Sequence, residues 1–91
     1  MILVDVQVLQ LGMVYDFEVD EDRTIGEVAE DMVLLICKKE RLEQIPGIGC
    51  YLYSMSLEGI LSSEATFREL GIRNGERLVL ICSGKENNIN V

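Results

Sequence analysis

The sequence predicts an α+β domain in which a four- to five-stranded sheet packs on one helix. Three observations carry this: two alternating apolar and polar runs at the start, one amphipathic segment behind a capping signal, and short apolar runs punctuated by turns thereafter. Ninety-one residues suit a single domain. Apolar residues are 48% of the chain and charged residues 26%, a balance that supports a packed core.

In the first run Ile2, Val4, Val6 and Val8 alternate with Leu3, Asp5, Gln7 and Leu9. After a turn near Leu11-Gly12-Met13, Tyr15, Phe17 and Val19 alternate with Asp16, Glu18 and Asp20, which makes a β-hairpin with one buried face. Asp20-Glu21-Asp22 then leads to Thr24, with Glu27 three residues on, and this pair reads as a capping box.

The helix is expected from about Ile25 to Arg41, acidic early and basic late (Lys38, Lys39, Arg41), the order that the helix dipole favours. At 100° per residue Ile25, Ala29, Met32 and Ile36 align, flanked by Val28 and Leu35, and this stripe faces the sheet. Leu34 falls on the opposite side with Cys37 beside it, so Leu34 is expected to be exposed.

Gln44 to Gly49, with the only proline, reads as a loop before a third strand at Tyr51 to Ser56. Leu57-Glu58-Gly59 turns the chain into a short strand at Ile60-Leu61. Ser62 to Ala65 is irregular, Thr66 to Leu70 is one helical turn, and Arg73-Asn74-Gly75-Glu76 turns into the last strand, Arg77 to Cys82. The domain is assigned to residues 1–83 and a polar tail to residues 84–91.

From Val19-Asp20-Glu21-Asp22-Arg23-Thr24-Ile25 onward the order and spacing resemble ubiquitin, and the match returns from Leu61 through Thr66-Phe67-Arg68-Glu69-Leu70-Gly71-Ile72 to Leu78 and Leu80. The resemblance implies a ubiquitin-like β-grasp, a mixed sheet in which the first strand pairs in parallel with the last. Leu70-Gly71-Ile72-Arg73-Asn74-Gly75-Glu76-Arg77-Leu78 looks like the bacterial ubiquitin-like proteins of YukD/EsaB type, which are accessories of type VII secretion. That implies a cytoplasmic component with protein partners from a secretion machine.

Sixteen acidic and eight basic residues give a net charge of −8, which repels phosphate backbones, so no nucleic-acid binding is expected. The longest apolar run, Met32 to Cys37, is about a third of a membrane span, so no membrane insertion is expected. Cys37, Cys50 and Cys82 form no Cys-x-x-Cys pair, and with no histidine in the chain they are expected to be reduced, inert thiols.

Neither cofactor nor catalysis is expected. Gly47-x-Gly49 precedes a strand, whereas a phosphate cradle must open a helix. Asp20 and Asp22 lack the glycine and the bidentate glutamate of a calcium loop. The sequence ends Asn88-Ile89-Asn90-Val91 without the Gly-Gly carboxyl end that conjugating relatives use, so covalent attachment is not expected.

On the β-grasp frame Leu52, Leu78 and Leu80 point to the helix. Leu3, Tyr51, Tyr53, Met55, Val79 and Ile81 then form an outer protein-binding face, with Leu34 a further exposed apolar residue on the helix. Its alternative is a register shifted by one, burying Tyr51, Tyr53 and Met55. The face suits a protein partner, or a second copy in a homodimer.

Overall fold

The computed structural model describes residues 1–42 and 49–83. β1 (Ile2–Val8) and β2 (Met13–Val19) form the hairpin, and α1 (Ile25–Glu40) follows. Then come β3 (Gly49–Ser54), β4 (Gly59–Ile60), α2 (Phe67–Leu70) and β5 (Arg77–Ser83). The sheet order is β2-β1-β5-β3-β4. β1 runs antiparallel to β2 and parallel to β5, so the sheet is mixed as expected. Most of the loop assigned to Gln44 to Gly49, and the tail at residues 84–91, lie outside the described residues.

α1 begins at the expected cap. The Thr24 side chain accepts the Glu27 N–H at 3.2 Å, and the Glu27 carboxylate accepts the Thr24 N–H at 3.4 Å. The helix ends at Glu40, and Arg41 caps it in the left-handed region with φ 59°. α2 repeats the device: the Thr66 side chain accepts from the Glu69 N–H, and Glu69 accepts from the Thr66 N–H, both at 3.0 Å.

The core lies between α1 and the inner sheet face. Val4, Val6, Leu52, Leu78 and Leu80 meet Ile25, Val28, Ala29, Met32 and Ile36 there, all buried. Phe67 is fully buried, so the single turn of α2 supplies the largest side chain of that core. Among the described residues Ser54 is the buried polar one. Its hydroxyl accepts the Leu57 N–H at 3.1 Å and lies 3.3 Å from the Ser56 hydroxyl, which satisfies it.

Two expectations are corrected. Leu35 does not face the sheet: it is 55% exposed, because its side of α1 overhangs the edge strand β2, where no further strand covers it. Val33 takes the corresponding place on the other flank, partly buried against the core. Leu34 is exposed as expected, and Cys37 near it is half-buried in a cleft with Val8, Ile36, Leu80 and Cys82.

The largest correction concerns Cys50 and Cys82, which are joined in a disulfide. They are 32 residues apart in sequence yet directly opposed in the β3·β5 register, with Cα atoms 3.9 Å apart. The missing Cys-x-x-Cys spacing does not exclude this bond, because antiparallel pairing across a sheet brings remote residues face to face. Only Cys37 is a free thiol among the described residues.

Candidate protein-binding face

Strand pairing sets which residues share the outer face. Tyr51 stands opposite Ile81 and Tyr53 opposite Val79, while Leu52 and Leu80 are opposed on the inner side. Leu52 and Ser54 are fully buried, which excludes the register shifted by one residue. Parallel pairing then places Gln7 against Val79, and the hairpin places Val14 against Gln7. Across the other edge Ile60 pairs with Tyr53.

One rung therefore crosses all five strands in the order Val14, Gln7, Val79, Tyr53, Ile60, with Tyr51 and Ile81 beside it. Tyr51, Tyr53, Val79 and Ile81 are each half-buried, because neighbours on a pleated face cover one another. The flanks are open: Ile60 is 63% exposed and Val14 49%. Large apolar side chains that no described element covers suit contact with another protein.

Of the seven residues singled out from sequence, four form this stripe. Leu3 shares the face but stands at its far end, beside Glu18, with Asp5 and Arg77 between it and the tyrosines. Its backbone N–H donates to the Asn74 side chain at 2.7 Å. Met55 lies beyond the end of β3, exposed in the turn that leads to β4. Leu34 belongs to a different surface, a cleft shared with Gly26, Glu30, Val33, Cys50 and Ser63.

Two members were missed. Ile60 was legible only as part of a short strand, and its direction follows from the Tyr53 pairing. Val14 sits at the hairpin turn, where alternation alone left its face unassigned; opposite Gln7 it takes the outer side.

The hairpin half of the face is acidic. Asp5 and Asp16 are opposed in register, and hydrogen bonding to Asp5, followed by its charge, holds the Asp16 carboxyl above the ordinary carboxylate range. Arg77 relieves the pair only in part, with its guanidinium 3.6 Å from Asp5. Apolar contact area and negative charge thus lie side by side. Among the described residues no group of three or more metal-ligating side chains comes together, and no helix is long and apolar enough to cross a membrane.

No family model matches the chain, and no curated protein matches it. Solved structures do. A ubiquitin of Caldiarchaeum subterraneum superposes with a TM-score of 0.63 at 22% identity, covering 88% of this chain and 90% of that one. A chain of the MycP5-free ESX-5 inner membrane complex superposes at 0.71 with 15% identity, over 87% of this chain and 20% of that one. A chain of the toluene 4-monooxygenase HD complex with the inhibitor 4-bromobenzoate gives 0.71 and 19% identity, covering 88% and 95%. At these identities the likeness is one of fold, and the fold is a ubiquitin-like β-grasp.

Proposed function

We propose that this chain is a non-catalytic ubiquitin-like interaction module, an accessory of a bacterial type VII secretion machine that acts in the cytoplasm without being conjugated to its targets. The apolar rung through Val79, Tyr53 and Ile60, with Tyr51 and Ile81 beside it, carries the reading. Tyrosine brings large contact area at modest entropic cost, which suits binding faces. The same fold as part of a chain in an ESX-5 inner membrane complex supports the secretion context.

The test is separation of binding from folding. Tyr53→Lys and Ile81→Lys should each weaken binding to the cytosolic domains of the secretion machine by roughly 2 kcal/mol or more, the range of interface hot spots, and leave the melting temperature nearly unchanged. Unfolding by either variant, or undiminished binding by both, overturns the reading. Light scattering over a dilution series distinguishes a heterologous partner from a homodimer through the same face, since only the homodimer loses mass on dilution. In the cytoplasm the Cys50–Cys82 pair meets a reducing thiol pool. Trapping thiols by alkylation in intact cells therefore tests the compartment directly.

A further inference from the structure

The two edges of the sheet differ. β4 is two residues long, whereas β2 runs for seven and among the described residues has a strand on one side only, so alternate backbone N–H and C=O groups along Met13–Val19 point outward with no described strand to pair them. β2 has no proline and no lysine, and its charged side chains are the two carboxylates Asp16 and Glu18, so its edge is guarded against another acidic strand and open to a basic one. Along its helix side run two adjoining clefts that share Phe17 and Leu35 as lining residues. Leu35 overhangs both at 55% exposure and Met13 borders one of them at 42%. At one end the Tyr15 hydroxyl donates to Glu40 at 2.6 Å, and at the other Arg23 donates to Asp31 at 2.7 Å.

We propose that β2 is a docking edge for an extended segment of another protein in which aliphatic and basic residues alternate. A strand added beside β2 has two faces. Residues on its helix side lie over Phe17, Leu35 and Met13, which select apolar side chains. Residues on its outer side stand across from Asp16 and Glu18, which select lysine or arginine, since opposite charges across strands stabilise and like charges destabilise.

Charge also argues against a second copy as the occupant. In the full-length antiparallel register of β2 on β2, centred on Asp16, each Asp16 faces its counterpart, and each chain carries a net charge of −8. This edge meets the outer-face rung only at Val14, and variants of Leu35 and of Tyr53 tell the two proposals apart.

The experiment uses the whole chain, isotope-labelled, titrated with a nine-residue peptide alternating lysine and valine, and with its glutamate-for-lysine counterpart. Amide exchange and chemical shifts are followed by NMR. The lysine peptide should protect amides of Met13–Val19, and the glutamate peptide should bind at least tenfold more weakly. Leu35→Gln, on an exposed helix position, should weaken the lysine peptide at least tenfold while Tyr53→Lys leaves it unchanged. Asp16→Asn should weaken it and flatten its salt dependence. Equal binding of the two peptides, protection confined to other strands, an unaffected Leu35→Gln variant, or pairing of β2 between copies without peptide overturns the proposal.

Discussion

Thr24 and Thr66, each the N-cap of a helix, pair with each other in a single antiparallel bridge. Around it the segment before α2 satisfies the start of α1: the Ile25 N–H donates to the Ala65 carbonyl at 2.8 Å and the Gly26 N–H to the Ser63 carbonyl at 2.9 Å. The return contact is Arg68 N–H to the Glu21 carbonyl at 3.0 Å, reinforced by the Arg68 guanidinium 2.7 Å from Asp22. Two capping boxes thus brace one another.

Gly26 marks how close that brace is. A Cβ there would sit 3.1 Å from the Ser63 carbonyl oxygen and 3.2 Å from the Ser63 Cβ. The carbonyl cannot retreat without losing its bond from Gly26. In an open helix Gly→Ala would stabilise by about 1 kcal/mol; here Gly26→Ala should destabilise instead, by about 1 kcal/mol, the scale of a lost hydrogen bond. A urea midpoint at or above wild type would show that the loop yields.

Met32 is 1% exposed at the centre of α1, and Leu35 is 55% exposed three residues on. Met32→Ala should cost roughly 2–4 kcal/mol through lost transfer energy and an unfilled cavity. Leu35→Ala should stay within about 0.5 kcal/mol of wild type. Equal losses in denaturant titrations would mean that Leu35 belongs to the core.

The Cys50–Cys82 bond closes a loop of sequence separation 32. Constraint of the unfolded chain by a loop of that size stabilises by about 3–4 kcal/mol in the chain-entropy model. Reduction with a dithiol, or Cys82→Ser, should lower the guanidinium midpoint accordingly while leaving the circular dichroism of the native state unchanged. Thiol titration of the unfolded, unreduced protein should find one thiol, Cys37, and after reduction three. Three thiols before reduction would refute the bond.

Tyr15 connects the hairpin to the end of α1. Its hydroxyl donates to Glu40 at 2.6 Å, and this bond, then desolvation and the Glu40 charge, pushes its pKa up to about 12 from an ordinary 10.0. A raised pKa means that the contribution is whole below pH 10 and is lost as pH climbs toward 12, because only the protonated phenol can donate. In a variant with Tyr51 and Tyr53 replaced by Phe, absorbance titration should place Tyr15 near 12, and adding Glu40→Gln should return it toward 10. Titration near 10 with Glu40 intact would rule out the bond.

Acid acts with the opposite sign. Hydrogen bonding to Arg68 lowers the Asp22 carboxyl below its ordinary 3.8, so what this pair contributes is present above pH 3.8 and fades as pH falls through the depressed value. Arg68→Gln should therefore remove part of the acid sensitivity of unfolding as pH falls through 3.8 and below, and the tether between α2 and the start of α1 with it. An unchanged pH profile would mean that solvent screens the pair completely.

Much of this molecule was open to reading along the chain. Alternation in Ile2–Val8 and Met13–Val19 gave the hairpin, the Thr24 and Glu27 pair set the start of α1 to the residue, and Leu52, Leu78 and Leu80 were placed inward. These signals are local: a period of two or 3.6 residues, or a cap three residues long, needs nothing from the rest of the chain. The four central residues of the outer face followed from the same alternation once one register was chosen.

The sequence by itself thus determined which strand residues turn inward and where the helices begin. Only the tertiary structure decided what each outward or half-buried residue meets: Cys82 for Cys50, Ile60 for Tyr53, Asp5 for Asp16, and for Leu35 nothing beyond the edge strand. Those outcomes depend on strand order and register across β2-β1-β5-β3-β4. Such pairings join segments dozens of residues apart, and the free energy that selects them comes from burying the whole inner face at once, so no local pattern can carry it.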